Sequence, residues 1–359
     1  MINKRILTSA CALMLSVAAI AGNKDRSGQA GAGELLINPW ARSGGLFGLN
    51  AANVTGVEAM KVNIAGLAKT TQTEFGLAHT RYLFGTGTNI NNLAVAHNLG
   101  ETGVIGVNIM SMNFGEIPIT TETSPEGGIG MYKPSFLNFT VGLGHTFSKN
   151  MSAGLSMTYV NEAISNIRAS AMSFDAGIQY TNGKRDNLHI AITLRNVGTN
   201  IRFTGDGFSF NGTSPDFGKN ITVQSRTDKF QLPSQLNIAT AYDFYLDEAK
   251  ATDEKNPEHR LTSMVSFISN SFSSDWLGLG FEYAFKERFM ARAAYRYETD
   301  IMDKANSVTM YTGLSAGLTF QSTIGGNNLA VDYGFRPTRF GGGVHGVGLR
   351  LILGSKKED

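Results

Sequence analysis

The chain has 359 residues, a formal net charge of +2, 42% hydrophobic residues and 17% charged ones. So small a net charge, with no basic cluster interleaved with aromatics, argues against a nucleic-acid partner. The 42 glycines, 8 prolines and single cysteine, with no shift of composition midway, suit one large all-β unit better than two small domains.

At the amino terminus Lys4 and Arg5 precede an apolar stretch, residues 6–20, that ends in Ala19, Ile20 and Ala21. This is the pattern of a secretory signal peptide covering residues 1–21; at about fifteen residues the stretch is too short for a membrane helix. Cys11 falls inside it, which leaves the mature chain no thiol, disulfide or thiolate metal site. Residues 22–71 read as a periplasmic amino-terminal and plug-like segment, whose Gly/Asn/Ala-rich part, 41–69, lacks strand alternation and suits a hatch tucked into a barrel mouth.

From residue 72 to 354 apolar and small polar residues alternate in runs separated by turns. Leu137, Phe139, Val141 and Leu143 alternate with Asn138, Thr140, Gly142 and Gly144; Leu279, Phe281 and Tyr283 alternate with Gly280, Glu282 and Ala284. Period two specifies strands with one apolar face. Runs are expected at 72–84, 89–99, 103–113, 135–147, 152–164, 170–180, 188–196, 235–245, 260–272, 276–285, 289–298, 308–320, 328–335 and 344–353. An even set of about fourteen strands, each with one dry and one polar, glycine-rich face, is predicted to close into a transmembrane antiparallel β-barrel, because closure satisfies every backbone group in lipid. Outer-membrane lipid is then the solvent of the apolar face.

Short joints suit periplasmic turns, and the long connections 114–134 and 197–232 suit external loops; the charged stretch 247–258 counts to the periplasmic side despite its length. Arg195, Asp243, Glu282, Arg292, Arg296, Asp332 and Arg336 are expected to point into the lumen. Tyr82, Tyr159, Tyr180, Tyr242, Trp276, Tyr283, Tyr297 and Tyr311 are expected in interface girdles. Residues 355–359 form a polar tail.

Motifs for catalysis are missing from this pattern. The six histidines are scattered without HxH or HExxH spacing, and no GxSxG elbow or Walker lysine accompanies the serines and glycines. Gly205, Asp206, Gly207, Asn211, Gly212 and Asp216 are rich in oxygen ligands but lack EF-hand spacing. No catalytic, cofactor-binding or metal residues are therefore assigned.

The segment GVEAMKVNIAGLA, residues 56–68, closely resembles a signature near the mature amino terminus of the PorV/PorQ family of Bacteroidota, barrels related in fold to the FadL fatty-acid transporters. Segments GVIGVNIMSMNFGEIPITT from Gly103, FDAGIQY from Phe174, LRNVG from Leu194 and LPSQLNIATAYDF from Leu232 are similar to that family as well. The matching plug-motif positions are Gly56, Glu58, Ala59, Asn63, Ala65, Gly66, Leu67 and Ala68; Ile64 stands where the signature has proline. The resemblance implies a FadL-like, fourteen-stranded barrel serving the type IX secretion system. Its partners would be the translocon or attachment-complex proteins and the carboxy-terminal domains of exported cargo.

A transporter of hydrophobic small molecules is the competing reading, with 41–69 as its hatch. Phe203, Phe208, Phe210 and Phe217 form the candidate loop cluster in either case, lining a ligand pocket or anchoring a protein partner.

Overall fold

The alternating runs form fourteen strands that close on themselves in a computed structural model describing residues 22, 24–213, 218–247 and 257–354. The signal-peptide and tail assignments lie outside the described residues. The wall consists of β1 (Thr73–Arg81), β2 (Asn89–Asn98), β3 (Val104–Asn113), β6 (Ser135–Ser148), β7 (Met151–Ile164), β8 (Ile167–Asn182), β9 (Leu188–Gly198), β13 (Gln235–Tyr245), β14 (His259–Asn270), β15 (Trp276–Phe285), β16 (Phe289–Glu298), β17 (Leu314–Ile324), β18 (Asn327–Arg336) and β19 (Val344–Leu353). Short strands β4 (Ile117–Pro118), β5 (Met131–Tyr132), β10 (Phe203–Gly205), β11 (Ser209–Thr213) and β12 (Asn220–Gln224) lie in the long connections.

Every wall pairing is antiparallel, and β1 hydrogen-bonds both β2 and β19, which leaves no free edge. The register between β8 and β9 shifts at Asp175, opposite Asn196, whose φ of 58° is left-handed. The strand expected at 308–320 begins later, at Leu314: residues 299–313 are a loop that turns back over the lumen.

Burial alternates as the sequence period requires. On β15 Trp276, Gly278, Gly280, Glu282 and Ala284 are buried and face inward, whereas Leu279, Phe281 and Tyr283 are exposed outward. All seven luminal charges named from the sequence face inward. The expected girdle fails at three positions. Trp276 is 7% exposed and inward, and Tyr82 and Tyr311 line an internal cavity. Trp276 shares the parity of Gly278 and Glu282, and Tyr82 that of Thr80, so the pleat turns both away from lipid.

Joints at 99–103, 149–150, 183–187, 286–288 and 325–326 lie at one end; connections 82–88, 114–134, 199–234, 299–313 and 337–343 lie at the other. Loop length makes the first end periplasmic. The 247–258 connection joins β13 to β14 at that end; residues 248–256 lie outside the described ones.

Residues 24–70 fill the lumen as a chain of short helical turns, including Ala41–Gly44, Ala59–Val62 and Ile64–Lys69. The start of the segment, read from the sequence as periplasmic, contacts the connections at the end opposite the short joints. Lys24 pairs with Asp300 at 2.6 Å, Arg26 donates to Gln231 at 3.0 Å, and the Gly31 N–H donates to the Gln231 carbonyl. These partners belong to external loops, so the segment begins at the external end, descends the lumen, and reaches the periplasmic end at Thr70.

Candidate functional site: a seated plug below a luminal cavity

Glycine determines where the plug sits. Inward-facing wall positions must leave room for a second backbone layer, and on β3, β6, β7 and β8 they do so with Gly106, Gly142, Gly144, Gly154 and Gly177. A Cβ on Gly144 would lie 2.5 Å from the Ala68 nitrogen, one on Gly154 2.7 Å from the Ile64 carbonyl oxygen, and one on Gly142 2.6 Å from Ile64 Cδ1. The glycine-rich face is the plug's seat. Across the lumen Leu49 packs over Gly278 and Trp40 over Gly76.

The plug-motif residues come together here. Gly56 has a φ of +71° that strains any L side chain, and its Cβ would overlap the Glu74 carboxylate. Ala59, Ala65 and Leu67 have no exposed surface. Asn63 caps the turn Ile64–Lys69 by accepting from the Ala65 N–H at 3.1 Å; its Nδ2 donates to the Ala51 carbonyl at 2.9 Å and to the Ile178 carbonyl of β8 at 3.3 Å. Gly66 and Ala68 complete the close contact with Val54 and with Gly144. Ile64, where the resembling signature has proline, starts the same turn and is 2% exposed against the glycine seat.

Glu58 links the plug to the charged side of the lumen. It accepts from the Ser43 hydroxyl and lies 3.7 Å from Arg350, which is also paired with Asp332 at 2.8 Å. On the same side Arg42 of the plug reaches Glu282 at 3.2 Å, beside Arg292 at 3.1 Å and Arg260 at 3.4 Å. Arg260 continues to Asp243, which holds His189. The wall groups stand on β13 to β16, β18 and β19, with His189 on β9, so the lumen is closed by packing on one side and by ion pairs on the other.

Above this barrier is a cavity of about 420 Å³. Leu36, Ile37, Phe47 and Val62 of the plug form its floor, Trp276, Ile268, Asn237 and Arg296 part of its wall, and Val308, Met310 and Tyr311 its cover. Phe47 meets Tyr311 edge-on at 5.4 Å, Arg336 lies 5.7 Å over Tyr311, and Arg296 lies 4.6 Å over Trp276. Three arginines line the space. Arg296 is paired with Glu298. Arg336 donates to the Asn38 carbonyl at 3.1 Å and Arg195 to the Leu35 carbonyl at 3.5 Å. Among the described residues neither of these two has a salt bridge. Asp175, near Arg195, accepts from the Asn196 N–H at 2.7 Å.

The described members of the phenylalanine set have different surroundings. Phe203 packs against Ala32, Leu35, Ile201 and their neighbours, Phe208 is half-buried, and Phe210 stands 56% exposed on the β11–β12 hairpin. Phe217 lies outside the described residues, and none of the other three lines the cavity. The aromatic residues that do line it are Phe47 of the plug with Tyr82, Trp276 and Tyr311 of the wall and loops, and strand parity alone turns Tyr82 and Trp276 inward.

No protein-family model matches the chain, and no curated protein matches it in sequence. Solved structures match its fold. A ΔS2S3 mutant of the monoaromatic hydrocarbon channel TodX is 13% identical with a TM-score of 0.52, over 87% of this chain and 97% of that one. The P. putida toluene transporter TodX is 13% identical with a TM-score of 0.51, over 87% and 96%. A Pseudomonas aeruginosa FadL homologue is 11% identical with a TM-score of 0.50, over 87% and 97%. At these identities the likeness establishes the fold, a FadL-like outer-membrane barrel of fourteen strands with an amino-terminal plug in its lumen.

Proposed function

We propose that this chain carries small apolar molecules bearing one acidic group across the outer membrane. The cavity beneath residues 308–311 is the first binding compartment and the plug is the barrier below it. The observation that carries this reading is the pair Arg195 and Arg336, both inward-facing and without salt bridges among the described residues, in a cavity where an apolar part, Leu36, Ile37, Phe47, Val62, Trp276 and Tyr311, adjoins a polar one that includes Gln235, Asn237 and Asn270. Ligand sites combine apolar walls with a few placed polar groups in volumes of roughly 300–1,000 Å³. Here the apolar walls take up a hydrocarbon body and the guanidiniums an anionic end. The toluene and hydrocarbon cargoes named for the TodX structures support the apolar half of the reading.

Type IX secretion rests on the sequence resemblance and ranks second. One feature favours it: the β11–β12 hairpin projects from the longest described connection, with Phe210 56% and Ile221 46% exposed, as a protein-docking element would.

Trp276 makes the first reading testable, because only Trp40 accompanies it and Trp40 is buried in the plug. Octanoate and octanol are titrated against tryptophan fluorescence in detergent. A charge-assisted hydrogen bond contributes about 1.5–3 kcal/mol, so octanoate is expected to bind tenfold or more tightly than octanol. The preference should vanish in Arg195→Met/Arg336→Met. Equal binding of both ligands, or a preference that survives in the variant, refutes the acidic-cargo assignment.

A further inference from the structure

The lipid-facing side of β1 and β2 has a shorter apolar run than β6 or β19. On β19 four successive outward residues, Val347, Leu349, Leu351 and Leu353, are apolar below outward His345, and on β6 Leu137, Phe139, Val141 and Leu143 are apolar between outward Ser135 and His145. On β1 only Phe75 and Leu77 stand between outward Thr73 and His79, and on β2 only Leu93 and Val95 between Asn91 and His97. Six residues at about 3.4 Å each, tilted by about 40°, give roughly 16 Å of height, against the roughly 25 Å apolar band of an outer-membrane barrel. Polar side chains on these strands therefore enter the depth that acyl chains occupy elsewhere around the barrel.

These side chains are in register and unevenly satisfied. His79, Asn91 and Ser111 form one outward row across β1, β2 and β3, and Arg81, Asn89 and Asn113 form the next row toward the external end. His79 Nδ1–H donates to Asn91 Oδ1 at 2.8 Å, which leaves the Asn91 Nδ2 donor uncommitted. Arg81 is exposed, touches the Phe84 ring at 5.6 Å, and has no salt bridge among the described residues. No carboxylate lies in either row. Directly below them is a groove of about 390 Å³ walled by Leu77, Leu93, Ile109, Val347 and Leu349, with His79, Asn91 and Ser111 at its external end. Along the membrane normal the groove runs from hydrocarbon to uncommitted donors and then to a cation.

We propose that this groove is a binding site for one phosphate-bearing lipid of the outer leaflet. An acyl chain lies along Leu77, Leu93 and Leu349, and the phosphate is held by Arg81 with the free Nδ2 of Asn91, whose amide is oriented by the hydrogen bond from His79. Charge complementarity selects this occupant, since an unpaired guanidinium without a neighbouring acid attracts a phosphate monoester. A head group seated this deep satisfies donors that would otherwise face hydrocarbon. The site is on the outside of the wall and is independent of the luminal cavity.

The test is native mass spectrometry of the full chain in detergent, titrated with lipid A and with its dephosphorylated form. Wild type is expected to retain one lipid A at tenfold lower concentration than the dephosphorylated form. Arg81→Ala/His79→Leu/Asn91→Leu should lose that preference. Leu93→Trp, which fills the groove and leaves the cation in place, should weaken both adducts. Heat-modifiable migration on gels verifies that each variant is an assembled barrel. Equal retention of the two lipids by wild type, unchanged preference in the triple variant, or a dimer mass in place of the lipid adduct would overturn the assignment.

Discussion

Gly144→Val separates a plug seated by glycine from a plug held merely by its connection to β1. Gly144 has ordinary strand geometry, and the three atoms its Cβ would meet first are plug backbone: the Ala68 nitrogen at 2.5 Å, Ala68 Cα at 3.1 Å and the Leu67 carbonyl carbon at 3.1 Å. The wall strand itself tolerates valine, so the strain falls on the plug. Overpacking of this kind costs about 1–3 kcal/mol, which raises the unseated population about 5- to 150-fold. Single-channel recording in planar bilayers should show openings far more frequent than in wild type, and cells should become sensitive to a large antibiotic that the closed barrel excludes. Leu143→Ile, on the lipid side of the same strand and 48% exposed, should behave as wild type. A folded Gly144→Val barrel that stays as closed as wild type would refute seating by glycine.

The face assignment predicts that Leu279→Arg impairs assembly far more than Gly280→Ser. A lipid-facing arginine near midplane costs roughly 2–4 kcal/mol, whereas a Cβ at Gly280 meets its nearest neighbour, Leu49, at 3.2 Å; equal heat-modifiability of the two variants would contradict it. Glu282→Gln leaves Arg42, Arg260 and Arg292 converging without their shared carboxylate, which is 1% exposed. Loss of one member of a buried charge cluster costs about 3–5 kcal/mol, so thermal unfolding should come at lower temperature, and an unchanged midpoint would mean the network is dispensable. Replacing residues 206–226 by a short linker should leave assembly and octanoate binding intact, because the β11–β12 hairpin makes no part of the cavity. Loss of surface delivery of secreted proteins in that strain would move the assignment to secretion.

Much of this architecture is written in local pattern. Alternation along Leu277 to Phe285 fixes strand, period and face together, because the pleat leaves a side chain two directions and lipid tolerates charge in only one. The inward positions of Glu282, Arg292 and Asp332 follow from parity in the same way. The seat of the plug does not follow. Gly144 has the inward parity of Asn138 and Thr140, and its role emerges only when Ala68, 76 positions earlier in sequence, is packed against it. The cavity cover was hidden for a related reason. Val308 to Tyr311 alternate like a strand, but Gly313 has a φ of +93° and turns the chain, so Tyr311 lies over Phe47 and does not reach the membrane interface. Phe203 and Phe210 look alike in sequence; the pairing of β10 with β8 half-buries one, and the β11–β12 hairpin exposes the other.

The central claim is passage of an apolar acid through this barrel. It is tested most directly by measuring uptake of radiolabelled octanoate, at micromolar external concentration, in cells lacking the protein and in cells complemented with wild type or with Arg195→Met/Arg336→Met. Slow uptake in the deletion strain, restored by wild type and not by the double variant, is the expected result. Uptake that is the same in all three strains, together with failure to deliver secreted proteins in the deletion strain, would contradict transport and favour secretion.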